Sequence, residues 1–193
     1  MTVSTIILAA GKGTRMKSPM PKILHKIAGK QLIAFSVDLA NAVKSEETIV
    51  VISEETETDT RKALSEKRLK FCLQKKRLGT GDAVKIALKN IKIRSRLTLV
   101  LYGDTPFIKK ATIKRMMSKI KMGFDLVFLG FQSPTKNSYG KFKIGPKKIL
   151  IDIIEKNEPE YGSFKSLSNS GILLAKSTVM ADLIQKIKNN NAK

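Results

Sequence analysis

The stretch Leu8-Ala9-Ala10-Gly11-Lys12-Gly13-Thr14-Arg15-Met16, with Pro21-Lys22 just beyond it, has the residue types that a phosphate group needs. An apolar run over residues 3–10 breaks into a glycine-rich, basic loop. That is the pattern of a buried strand whose chain turns to meet an anion. Gly11 and Gly13 have no side chain to keep a ligand away, and they tolerate backbone angles that set successive N–H groups on one concave face. Arg15 and Lys22 add positive charge at the rim, where they could neutralise a phosphoryl group in transfer. Such chemistry rests on positioning and electrostatics more than on covalent steps. The loop lacks the spacing of G-x-x-x-x-G-K-[ST] and the third glycine of G-x-G-x-x-G, so neither common phosphate motif accounts for it. The expectation is a triphosphate site.

Two further stretches could complete such a site. The first joins Gln74 to Leu78-Gly79-Thr80-Gly81. An amide can offer a donor and an acceptor to a base edge, and glycine lets the backbone approach a flat ring. An ordinary loop ending in an N-cap at Thr80 accounts for the same residues equally well. The second is Tyr102-Gly103-Asp104. A carboxylate at a strand end suits Mg²⁺, which takes a few carboxylates together with phosphate oxygens and water. Alone, Asp104 would read as a turn aspartate; beside a phosphate loop it reads as a metal ligand. The lone His25 is read as structural, and the single Cys72 as a small core residue.

The elements that would position these groups follow from hydrophobic periodicity. Apolar, β-branched runs at 3–10, 48–52, 69–73 and 97–101 predict strands, the first of them buried on both faces. Helical patterns at 31–43 (with Leu32, Phe35, Leu39 and Val43 on one face), 56–67, 79–88 and 110–121 alternate with them. Alternation of this kind predicts a parallel sheet with right-handed crossovers. Ligands bind such sheets at the carboxyl ends of the strands, where all three stretches fall. Later the pattern changes to a strand at 124–131, a hairpin over 139–155 around Gly145-Pro146, a strand at 168–175 and a helix at 177–188. The expected organisation is a single domain over residues 1–193, divided into halves at 1–122 and 123–193.

With 193 residues and a 42% hydrophobic content, the chain can bury a proper core. No apolar run approaches a membrane span. The start, Met1-Thr2-Val3-Ser4, lacks the charged region of a signal peptide. A single cysteine excludes a disulfide framework and a multi-cysteine metal site. These features suit a cytoplasmic protein. The net charge of +21, from 37 basic against 16 acidic residues, could indicate a polyanionic partner. The basic residues are mostly scattered lysines with short runs such as Lys75-Lys76-Arg77, and no aromatic-interleaved signature accompanies them. The charge is therefore read as a coat on a solvated surface, without a nucleic-acid partner.

In order along the chain, the Leu8–Met16 loop, Pro21-Lys22-Ile23-Leu24-His25, Leu78-Gly79-Thr80-Gly81, Tyr102-Gly103-Asp104, Tyr139-Gly140, Ile154-Glu155 and Asn169-Ser170-Gly171 resemble the motifs of sugar-phosphate nucleotidyltransferases. Within that family they are similar to the uridylyltransferase domain of bacterial bifunctional N-acetylglucosamine-1-phosphate uridylyltransferase/glucosamine-1-phosphate acetyltransferases. The resemblance implies an α/β, Rossmann-like nucleotidyltransferase fold: a mostly parallel mixed sheet flanked by helices, with a small β-rich sugar-binding lobe in the later half. It implies that a sugar-1-phosphate oxygen attacks the α-phosphate of UTP, releasing pyrophosphate and forming a cell-wall precursor such as UDP-N-acetylglucosamine. By position, Leu8, Ala9, Ala10, Gly11 and Gly13 would line the nucleotide together with Tyr102 and Gly103. Arg15 and Lys22 would hold the phosphates and stabilise the transition state. Gln74, Gly79 and Thr80 would read uracil, Asp104 would bind Mg²⁺, and Gly140, Glu155 and Asn169 would hold the amino sugar.

Some implied features have no counterpart in the sequence. A downstream asparagine that should complete the metal site with Asp104 cannot be assigned, and the left-handed β-helix acetyltransferase domain and its trimer are not represented. The chain is thus expected to be C-terminally shortened, and a monomer or weak oligomer. Asp82 stands where the resemblance implies histidine, and its charge would hinder the site unless turned away. A related enzyme with another sugar or base, a non-catalytic nucleotide-binding remnant, and a basic nucleic-acid binder are the alternative readings.

Overall fold

The early apolar runs form strands because they have no polar face to leave in water. The computed structural model describes residues 1–11, 13, 16–65, 67–91, 95–133, 137–162 and 167–187. In chain order its elements are β1 (Val3–Leu8), β2 (Lys26–Ile27), β3 (Lys30–Gln31), α1 (Leu32–Ala42), β4 (Glu47–Ile52), α2 (Glu57–Ala63), β5 (Lys70–Leu73), α3 (Thr80–Asn90), β6 (Leu97–Tyr102), α4 (Lys110–Lys121), β7 (Leu126–Phe131), β8 (Lys141–Ile144), β9 (Leu150–Ile154), β10 (Ser168–Lys176) and α5 (Ser177–Lys186). They fall into two compact units, one of residues 1–127 with 173–193, the other of residues 128–172. No helix among the described residues is long and apolar enough to cross a membrane.

In the first unit, β5, β4, β1 and β6 run parallel in that order. The residues of β10 that belong to this unit pair antiparallel with β6, Leu173 opposite Val100 and Lys176 opposite Leu97. Strands β1 and β4 are buried at every position. On one face Ile6, Leu8, Ile49, Val51, Cys72 and Val100 pack with Ala83, Val84 and Ala87 of α3 and with Met180 and Ile184 of α5. Removing such a Val or Ile side chain from water is worth about 1.5–3 kcal/mol each. Helix α1 packs on β1 and β6. Helix α4 buries Ile113, Met116 and Ile120, one apolar stripe at helical spacing. The parallel strands follow the alternation in the sequence, and the mixed, mostly parallel sheet flanked by helices is the architecture the resemblance implies. Cys72 is buried in the core as expected, and burial pushes its thiol up from the ordinary value.

A hairpin that the periodicity does not signal joins β2 to β3. Its two-residue turn, Ala28-Gly29, has positive φ at both positions, 49° and 79°, as a tight hairpin with the right twist requires. Lys30 from this hairpin pairs with Asp38 on α1, and Lys67 lies 3.4 Å from the same carboxylate. Burial alone would raise the Asp38 carboxyl, but the two ammonium groups outweigh it and hold it below its ordinary value. A depressed carboxyl adds stability above the unfolded-state value and loses it as pH falls through the folded one. The pair is open to solvent, so Asp38→Asn is expected to destabilise the protein by under about 1 kcal/mol at neutral pH. Denaturant melts of variant and wild type should converge by about pH 2, below the carboxylate range.

The second unit holds the β8–β9 hairpin, with Lys141 opposite Ile154 and an irregularity at Lys143/Ile144. Ser168 at the start of β10 pairs with Lys141. Phe128 and Phe142 meet edge to face at 6.1 Å. Gly130 leaves space for that packing, since a Cβ there would come within 2.8 Å of the Phe142 ring.

Candidate active site

The strand register sets where the loops emerge. Leu8 lies opposite both Val51 and Tyr102, and Leu73 opposite Ile52. The carboxyl ends of β1, β5 and β6 are therefore level, and the segments that follow them leave one edge of the sheet. The chain proceeds from β1 to β4 and β5 on one side, then crosses to β6 on the other. The crevice at such a switch point is the natural ligand position in an open α/β sheet. A cavity of about 500 Å³ lies there, within the size range of small-molecule sites.

The described residues of the glycine-rich segment after β1 are held by specific contacts. Beyond β1, the Ala9 N–H donates to the Val51 carbonyl at 2.8 Å, and the Gly103 N–H donates to that of Leu8 at 2.9 Å. Gly13 has φ +63°, and a Cβ at this position would stand 2.6 Å from the Lys22 Cβ. Both the left-handed conformation and the close approach require glycine. Lys22 opens a short 3-10 turn whose Ile23 and Leu24 are buried. These anchors aim its ammonium at Asp104, with Nζ 2.7 Å from Oδ2. Gly103 sits behind the carboxylate, where a Cβ would press on Ile23, Ala9 and Ile33 at 3.3–3.4 Å. The Lys22 and Asp104 side chains are 35% and 32% exposed, so water screens the pair, which is worth roughly 0–1 kcal/mol. A pair this weak yields readily to a phosphate or a cation.

The other wall is polar. Gln74 is 4% exposed. Its Nε2 donates to the Gly79 carbonyl at 3.0 Å and to Asp82 Oδ2 at 2.8 Å. Gly79, at φ +101°, occupies the N-cap position of α3. Gly79 rather than Thr80 is therefore the N-cap, and Thr80 stands one residue inside the helix beside Tyr102. Burial raises the Tyr102 phenol above its ordinary value, with the Asp104 carboxylate adding to the shift and Thr80 opposing it. Tyr102 therefore stays protonated at neutral pH. The Asp82 carboxylate is turned to Gln74.

Leu8, Ala9, Ala10, Gly11, Gly13, Lys22, Gln74, Gly79, Thr80, Tyr102 and Asp104 thus line one cavity, with Gly103 packed beneath it. Arg15 lies outside the described residues. Arg77 also lines the cavity, and sequence reasoning missed it. Its Nε donates to the Ala10 carbonyl at 3.0 Å, while its two terminal nitrogens grip Glu55 at 3.1 and 2.6 Å. Its position between Gln74 and Gly79 was the available signal.

In the second unit, Gly140, Glu155 and Asn169 come together. The Asn169 N–H donates to the Gly140 carbonyl at 2.8 Å. A Cβ on Gly140 would stand 3.0 Å from Glu155 Oε1. Asn169 Oδ1 accepts the Gly171 N–H at 2.8 Å, which turns the two amide protons of its Nδ2 away from that bond.

No cluster of three or more histidine, cysteine, aspartate or glutamate residues that could enclose a metal occurs among the described residues. The donor set at Asp104 fits the looser mode of Mg²⁺, in which one carboxylate shares the ion with substrate phosphates and water. Asp104 Oδ2 faces Lys22, while among the described residues Oδ1 has only the Thr105 hydroxyl, at 3.4 Å.

A profile of the MobA-like NTP transferase domain matches residues 5–166. The chain is 37% identical over 194 residues to the bifunctional protein GlmU of Alkaliphilus metalliredigens, covering 100% of this chain and 42% of that protein. It is 34% identical over 190 residues to the bifunctional protein GlmU of Parvibaculum lavamentivorans, covering 97% of this chain and again 42% of the relative. The chain therefore spans less than half the length of these curated relatives. Among solved structures, one described as a glucose-1-phosphate thymidylyltransferase from Bacillus anthracis superposes with a TM-score of 0.79 at 21% identity, over 97% of this chain and 76% of the other. A 4-diphosphocytidyl-2C-methyl-D-erythritol synthase from Anaerococcus prevotii superposes with a TM-score of 0.67 at 15% identity, over 98% and 80% of the two chains. At these identities the two structures share the fold.

Proposed function

Because the chain belongs to the MobA-like NTP transferase domain family, we propose that its cavity holds UTP and that it transfers UMP to a sugar 1-phosphate, N-acetylglucosamine 1-phosphate foremost. The observation that carries this reading is one cavity with Lys22 and Asp104 at its phosphate end and the buried amide of Gln74 also in its wall. The products are a UDP-sugar and pyrophosphate.

In the reaction a sugar-phosphate oxygen forms a bond to the α-phosphorus as the bond to the β-phosphate oxygen breaks. Negative charge spreads over the phosphoryl oxygens and the departing pyrophosphate. Lys22, held by its turn and by Gly13, supplies a fixed positive charge to that transition state. Asp104 would hold a Mg²⁺ ion that neutralises phosphate charge. Tyr102, neutral and partly buried, adds no charge to oppose the triphosphate. Gly140, Glu155 and Asn169 are proposed for the amino sugar, Glu155 as an acceptor for hydroxyls and Asn169 as a donor through Nδ2.

Pyrophosphate release by purified protein with UTP, N-acetylglucosamine 1-phosphate and Mg²⁺ tests the proposal. Release that needs all three is the expected result. UTP binding without release at high protein concentration would refute the transferase and leave a nucleotide-binding domain. Faster release with another triphosphate or sugar phosphate would reassign the substrate within the family.

A further inference from the structure

Asp82 stands in the first turn of α3, and the proposed transfer has no use for a carboxylate there. Its one described partner is Gln74. A glutamine amide carries two N–H donors on nitrogen and one acceptor oxygen, and the two ends are similar enough in shape that either could face a given partner. Here the partners decide. The Gly79 carbonyl, 3.0 Å from Nε2, can only accept, and so can the ionised Asp82 carboxylate at 2.8 Å. Turning the amide over would set its oxygen against two acceptors at a site that is 4% exposed, where water cannot relieve the mismatch. The carboxylate is the stronger of the two constraints, because its hydrogen bond is charge-assisted. A neutral residue at position 82 that could both donate and accept would not impose it.

With both amide protons taken, only the carbonyl oxygen of Gln74 is left to meet a ligand. Among the described residues it accepts no hydrogen bond, and Gln74 lines the cavity. We infer that Asp82 is a positioning residue for base selection: it locks Gln74 with its oxygen presented, so that the site takes a nucleobase bearing a ring N–H on its pairing edge. Uracil and thymine carry that N–H at N3. Cytosine presents a bare, accepting N3, which would face the Gln74 oxygen with no proton between them. The charge that looks out of place beside a triphosphate is thereby spent on the amide.

This inference rests on the proposed placement of a nucleotide base against Gln74, and binding measurements separate the two. Isothermal titration of UTP and CTP into wild type, Asp82→Asn, Asp82→Ala and Gln74→Ala gives a CTP/UTP ratio of dissociation constants for each. The wild type is expected to favour UTP by at least about tenfold, Gln74→Ala to fall within about threefold of parity, and both Asp82 variants, which keep the Gly79 carbonyl as an orienting acceptor, to lose at least about threefold of the wild-type ratio. Asp82→Asn is close to isosteric and so keeps the experiment decisive even if the alanine variant folds poorly. A merely structural role would weaken both nucleotides together and leave the ratio unchanged. That outcome, or a wild-type ratio retained in Asp82→Asn, overturns the role of Asp82 and leaves the uridylyl reading intact if Gln74→Ala loses the preference. A wild type with no preference between UTP and CTP overturns both.

Discussion

Replacing Lys22 with alanine is expected to lower the turnover of pyrophosphate release by about 10²–10³-fold while changing UTP affinity by no more than about threefold. The argument begins with geometry. Lys22 stands at the head of a turn pinned by buried Ile23 and Leu24, and its Cβ is in close approach to Gly13. Its ammonium is thereby preorganised, so little reorganisation is needed when charge develops on the transferred phosphoryl group. In the ground state the same ammonium is already satisfied by Asp104 at 2.7 Å, and a nucleotide gains little by replacing that partner. The interaction therefore grows mainly in the transition state, which is the condition for an effect on kcat. Lys22→Arg should restore little, because a planar fork needs a different approach from a point charge. Equal losses in affinity and turnover would make Lys22 a uniform binding group and contradict the assignment.

The second large effect concerns the other half of the pair. Asp104→Asn is expected to reduce turnover by at least about 10²-fold at fixed Mg²⁺ and to move the half-saturating Mg²⁺ concentration upward. Asparagine keeps the volume and the packing over Gly103 but removes the charge that a hard cation requires. It also frees Lys22, so the two substitutions share a partner and should not be additive. The double variant is expected to lose less than the product of the single losses. Turnover that persists in Asp104→Asn with an unchanged Mg²⁺ dependence would refute the metal assignment. Circular dichroism and thermal melts of the variant should match wild type closely, since a solvent-screened pair contributes roughly 0–1 kcal/mol.

How far these features are legible in the sequence depends on their range. Strands β1, β4 and β6 announce themselves because burial on both faces demands uninterrupted apolar runs. The β2–β3 hairpin does not, since two residues per strand make no period and Ala28-Gly29 is a weak form of the usual turn dipeptide. The pattern extends α2 to residue 67, but the helix ends at Ala63, where Leu64 turns into the core as its C-cap. In the site, residues next to glycine-rich strand ends can be read from type and position. Arg77 is hidden because a short basic run carries little information in a chain of net charge +21. Asp82 is harder still: its effect is exerted on the amide of Gln74, across the junction between a strand end and the following helix. Gly103 is explained only by the side chains of Ile23, Ala9 and Ile33, which arrive from other segments.

The level carboxyl edge of the sheet has a consequence for how such a domain can change its preferences over time. The segments proposed to hold the phosphates, 9–22, and the base, 74–82, follow different strands whose ends, Leu8 and Leu73, sit at matching heights beside β4. Neither strand needs to move when the other's loop is rewritten. The close approach of Gly13 to Lys22 makes the phosphate segment a single inherited block, intolerant of piecemeal exchange. The base segment is joined to that block by the hydrogen bond from Arg77 to Ala10. Residues 74–82 can therefore drift, or be transplanted, as a cassette that carries its own choice of base onto an unchanged phosphate block, provided the arginine at the joint is kept.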